Sequence, residues 1–143
     1  MSLLNIFDVS GSAMSAQTVR LNTTASNLAN AQSVTSNFAD TYRARHPVFA
    51  AHGVADTDAA DGGDDGNALG VKVLGIVESS APLTMRYEPE HPLANSDGYV
   101  AYPNVNVVQE MADMISATRA FQMNVEVLNS ARTLAERVLS LGQ

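Results

Sequence analysis

The chain has 143 residues, no cysteine, 8 basic and 15 acidic side chains, and a formal net charge of -7. That length supports one modest core, the missing cysteine excludes a disulfide framework, thiol catalysis and thiolate metal sites, and no basic patch is available to neutralise nucleic-acid phosphates. The N-terminus, MSLLNIFDVSGS, has neither a basic n-region nor a continuous apolar run, so no conventional signal peptide is expected. No apolar stretch approaches the ~20 residues that span a bilayer.

The first predicted element is a helix from Ser2 to about Gln32. Phe7, Met14, Leu21 and Leu28 recur every seventh residue, with Ser10, Gly11, Gln17, Thr18, Ala25 and Ala31 between them. Residues spaced this way share one helix face, which makes a narrow seam of coiled-coil type. From Met1 to Ala39 only Asp8 and Arg20 are ionised. A solvated helix normally carries Lys and Glu, whereas a surface of Ala, Ser, Thr, Asn and Gln suits close packing on several sides. Asn22, Asn27 and Asn30 stand out, because asparagine is a mediocre helix former. Either they are ordinary surface residues, or their amides hydrogen-bond between helices and set register.

From residue 38 to 103 the period changes. Short strands are predicted over 41–49, 69–80, 83–87 and 98–102, and Asp97-Gly98 signals a tight turn. Five of the fifteen acids lie between Asp56 and Asp65, inside a small, Gly-rich stretch (53–67) that reads as an exposed flexible loop. A second helix is predicted from Asn106 to about Leu141. Pro103 ends the preceding strand, Asn106 caps, Glu110 and Asp113 suit the opening turns, and Gly142 is the stop residue. Its apolar stripe is Met111, Met114/Ile115, Thr118, Phe121, Val125, Leu128, Ala135 and Val138, with Arg132 and Arg137 towards the end.

The expected fold class is therefore α+β. Residues 1–36 and 104–143 form a helical part, paired as a coiled-coil-like layer, and 37–103 form a small β-rich part. At 1.5 Å per residue the helices would be roughly 45 and 50 Å long, more than the ~40 Å diameter of a compact domain of this size. They are expected to project, pairing with each other and with other chains. The other arrangement open to them is to break and fold back as an ordinary helical bundle.

Candidate chemistry is sparse. His46, His52 and His91 share no metal-ligand spacing. The acidic stretch invites a calcium reading, but the twelfth position counted from Asp56, Asp58 or Asp61 is Asn67, Leu69 or Lys72, never glutamate. Glu78, Glu88 and Glu90 could form an acid pair, though nothing around them marks a cleft. There is no phosphate-binding loop, dinucleotide fingerprint or nucleophile elbow. No catalytic residue, metal or cofactor is expected. A soluble binding module, with a helical stalk and a β head, is the alternative to an assembling structural subunit.

SNLANAQSVT, residues 26–35, resembles the signature of the axial proteins of the bacterial flagellum. Joined to YRARHPVF (42–49), YPNVNVVQEM (102–111) and the terminal LSLGQ, it resembles the FlgC family of proximal rod proteins. The resemblance spans nearly the whole chain apart from roughly 36–40 and 50–68. It implies a non-enzymatic rod subunit whose terminal helices form an inner layer around the export channel. The middle would be an outer domain, and torque would pass from motor to hook. It also implies periplasmic assembly after type III export without a cleaved signal, and as partners further copies of the chain, FlgB, FlgF, FlgG and the adaptor FliE. The expected assembly seam is Phe7, Met14, Leu21, Asn27, Leu28, Asn30, Met111, Ile115, Phe121, Val125 and Leu128. Two stretches depart from the family pattern: the acidic 53–67 segment, and TSNFADTYRAR, which lacks the usual proline-and-glycine turn.

Overall fold

The computed structural model describes residues 3–35, 37–53 and 68–141. The order of elements is α1 (Leu3–Ala29), β1 (Arg45–Gly53), β2 (Ala68–Glu78), β3 (Thr84–Tyr87), β4 (Tyr99–Tyr102) and α2 (Val107–Leu141). Two long helices thus enclose a small middle of antiparallel strands, the α+β class read from the sequence. The expected loop at 53–67 lies, beyond Gly53, outside the described residues, as does the expected stop at Gly142.

α1 ends about a turn before the predicted Gln32, for a local reason. The Asn30 Nδ2 donates back to Ser26 O at 2.8 Å, and the Ala31 N–H reaches Leu28 O, three residues back, at 3.3 Å. Ser33 then donates both its N–H and its hydroxyl to Asn30 O. The chain reverses without proline or glycine. Asn37 Oδ1 accepts from Ala39 N (3.2 Å), and its Nδ2 donates to Asp40 Oδ2 (2.9 Å), a side chain imitating a backbone turn. At the other end, Asn106 caps α2 as expected, its Oδ1 accepting from Val108 N and Gln109 N at 3.1 and 3.3 Å.

β1 pairs with β2, and β3 with β4, in two separate two-stranded sheets. Ser79 N, just past β2, donates to Ala44 O, just before β1, so the first pair runs antiparallel. The second is antiparallel with Thr84 opposite Tyr102 and Tyr87 opposite Tyr99. β1 starts later than predicted because the backbone before it is claimed by side chains: Ala44 N donates to Asn104 Oδ1 and Arg45 N to Asn27 Oδ1. The Asp97-Gly98 turn is present, with Gly98 N donating to Asn95 O, but it closes a longer loop, 88–98, and does not join the strands directly. Gly98 sits at φ +80°, and a Cβ there would lie 2.9 Å from the Tyr87 ring, so both backbone and space call for glycine.

The chain packs as two compact units. One comprises Met1–Val19, Val48–Gly75 and Ala117–Gln143; the other comprises Arg20–Pro47 and Ile76–Ser116. In the first, the buried side chains are small: Ser10, Ala16, Ala117 and Ala131. In the second they are Thr23, Thr24, Asn27, Thr41, Ala44, Val100, Ala101, Pro103 and Glu110. Large apolar side chains are left outside, including Ile115, Met123, Leu134, Val138 and Leu139.

Candidate assembly surfaces and the asparagine junction

Asn27 is fully buried in the last turn of α1. Its Nδ2 donates to Arg45 O at 2.8 Å, and its Oδ1 accepts from Arg45 N and from Tyr42 OH, both at 2.9 Å. The amide therefore pairs with one residue's backbone as a neighbouring strand would, and both acceptor positions of its oxygen are filled. Ser26 Oγ lies 3.3 Å from the same Tyr42 hydroxyl. The Arg45 guanidinium sits 5.4 Å from the Tyr42 ring centroid and bonds Glu78 at 2.9 Å. Asn104 completes the junction, accepting from Ala44 N and donating to Ala81 O, a carbonyl that Arg43 also reaches. SNLAN, YRAR and YPNVN, the stretches that carry the resemblance, thus meet one another.

Within the single chain both asparagines use their amides locally. Asn27 spends its amide inside the chain, and Asn30 spends its Nδ2 closing the end of its own helix, so the bonds described do not run between helices. Position in sequence concealed this, because the partner backbone lies 18 residues away. The α1–α2 contact is instead marked by an ion pair: Arg20 Nη2 lies 2.6 Å from Asp113 Oδ1. Arg20 is the one cation of the charge-poor N-terminal stretch, the only sequence signal that could have pointed to it.

The remaining seam residues fall into two groups. Phe7, Met14, Leu21 and Leu28 on α1, and Phe121, Val125 and Leu128 on α2, are half-buried, whereas Met111 and Ile115 are exposed. A further exposed face of α2, not separated out by sequence reasoning, carries Met123, Val127, Leu134 and Val138. Met123 and Leu134, like Val127 and Val138, are eleven residues apart, a spacing that keeps side chains on one face of a helix with about 3.67 residues per turn.

Two of the three acids considered for chemistry serve structure: Glu78 pairs with Arg45, and Glu88 accepts from Tyr102 OH at 3.2 Å. Among the described residues no group of three His, Cys, Asp or Glu could hold a metal ion. No helix described is long and apolar enough to cross a membrane.

Two family models match the ends of the chain. Residues 7–38 match "Flagella basal body rod protein", and residues 96–141 match "Flagellar basal body rod FlgEFG protein C-terminal". Over its whole length the chain is 50% identical to the flagellar basal-body rod protein FlgC of Salmonella typhimurium, covering 100% of both. The chain belongs to the FlgC family of flagellar basal-body rod proteins. FlgC of Yersinia enterocolitica is 48% identical with the same full coverage, and FlgC of Borreliella burgdorferi is 33% identical, covering 100% of this chain and 99% of that one. Membership of the FlgC family makes the chain a structural rod subunit, and the binding-module alternative falls. The FlgC-like stretches at 26–35, 42–49 and 102–111 are the same ones that build the junction.

Proposed function

We propose that this chain is a subunit of the proximal rod, assembling around the export channel in the periplasm and passing torque from motor to hook. Full-length relatedness to FlgC carries the reading. The helices support it physically: torque transmission needs broad lateral contact, and the large side chains left exposed in the single chain are what such contact would bury. Each fully buried large side chain contributes roughly 1.5–3 kcal/mol.

In this reading the helical segments 1–36 and 104–143 form the inner domain and 37–103 the outer one. The seam comprises Phe7, Met14, Leu21, Asn27, Leu28 and Asn30 together with Met111, Ile115, Phe121, Val125 and Leu128. Neighbours are further copies, FlgB, FlgF, FlgG and FliE, and the chain reaches them by type III export with no cleaved signal. A charge at Leu28 tests the seam. Cells carrying Leu28→Asp should fail to swim and should lack rods in isolated basal bodies, while still exporting the chain. Normal swimming would remove Leu28 from the seam.

A further inference from the structure

The loop between β3 and β4 is closed upon itself by five backbone bonds: Glu88 N to Gly98 O, His91 N to Glu88 O, Ala94 N to His91 O, Asn95 N to Tyr99 O, and Gly98 N to Asn95 O. Its Pro92 and Leu93 form one wall of a cleft of about 140 Å³, faced by Phe38 and Tyr99. Phe38 is 53% exposed and Tyr99 43%. The surroundings are acidic. Glu88, Glu90 and Asp97 lie on the loop and Asp40 follows Phe38 closely, while the loop's one basic side chain, His91, uses Nδ1 to accept from Leu93 N. The cleft thus sets Thr35 and Asn95 among apolar side chains, on a loop that also carries the acids Glu90 and Asp97.

The matching surface lies on α2. Leu134 and Val138, one helical turn apart, are 56% and 61% exposed, and Arg137 shares their face. Arg132 is engaged by Glu136 at 2.9 Å, whereas Arg137 has no carboxylate partner among the described residues. We propose that the cleft receives Leu134 and Val138 of a second copy of the chain, with the second copy's Arg137 answering Glu90 and Asp97. The inference rests on the self-assembly reading above. A contact between two different surfaces is heterologous and propagates from copy to copy, as a rod layer requires.

The chain has no cysteine, so introduced thiols are unambiguous. Leu93→Cys and Val138→Cys chains, co-expressed in the source bacterium, are treated in isolated basal bodies with a short bifunctional thiol cross-linker. The expected product is a dimer containing one chain of each variant. Arg137→Glu in the Val138→Cys chain should lower its yield about fivefold, the size of an exposed rim charge, and Glu90→Arg in the Leu93→Cys chain should restore it. Should Leu93→Cys fail to incorporate, Phe38→Cys replaces it on the opposite wall. Incorporated variants that give no mixed dimer, a dimer indifferent to charge reversal, or a cross-link to a different protein each overturn the contact while leaving the rod reading intact. Absence of the unmodified chain from basal bodies overturns both.

Discussion

An asparagine buried in the last turn of a long helix is costly unless its amide is used, and Asn27 uses both ends. Truncation to alanine would strand the Arg45 N–H and the Arg45 carbonyl and leave the Tyr42 hydroxyl with Ser26 Oγ alone. Asn27→Ala is expected to lower the stability of the chain by about 2–3 kcal/mol in urea unfolding, and Tyr42→Phe by about 1 kcal/mol. An Asn27→Ala loss below about 0.5 kcal/mol would mean the junction is held by its other bonds. The Arg20–Asp113 pair is a smaller matter. Its side chains are 31% and 34% exposed, so solvent screens the attraction. A double-mutant cycle with alanine at both positions should return a coupling of about 0.5–1 kcal/mol that shrinks as salt is added. A coupling of zero would make the pair a bystander of the helix contact.

Between elements, β2 comes close to α1 at Gly70 and Ser12. Ser12 Oγ donates to Val9 O at 2.8 Å and accepts from Val71 N at 3.1 Å, so a single hydroxyl ties the strand edge to the helix. A Cβ at Gly70 would lie 2.5 Å from that oxygen. Gly70→Ala is expected to cost about 1–3 kcal/mol through overpacking. Ser12→Ala alone should cost about 1 kcal/mol through the lost bond. Removing the hydroxyl removes the closest clash and leaves only Ser12 Cβ, 3.2 Å away, so the double variant should cost less than the two singles added together. Strict additivity would show that Gly70 fails for some other reason. The GSAMSAQ stretch of α1, with its small residues, is what lets a strand come this close.

For the whole molecule, the distribution of large apolar side chains matters more than any single contact. The unit containing the chain termini buries alanines and a serine, while Met123, Val127, Leu134, Val138 and Leu139 remain exposed on α2. A long helix gains most of its stability from packing. In hydrogen–deuterium exchange on dilute monomer, residues 20–47 and 76–116 should therefore be protected, and residues 3–19 and 120–141 should exchange rapidly. Strong protection at both ends would mean that the isolated chain already holds its helices, and that assembly adds contacts without adding order.

Much of this was legible in advance. Seven-residue spacing located α1, the Asn106 cap and Pro103 located the start of α2, and alternation with turn residues located the four strands, because each depends on neighbours within a few positions. The scarcity of charge announced that the helices have neighbours, and the family signature said of what kind. The use of the asparagines was not legible. Neither was the pairing of Arg20 with Asp113 or the approach of Gly70 to Ser12, contacts that join residues 93 and 59 positions apart in the case of the ion pair and of the Val71–Ser12 bond. Periodicity reveals which face of an element is buried, but the partner on that face is chosen by the path of the chain. An amide satisfied by a distant backbone looks the same in sequence as one waiting for another subunit, and only the tertiary structure tells them apart.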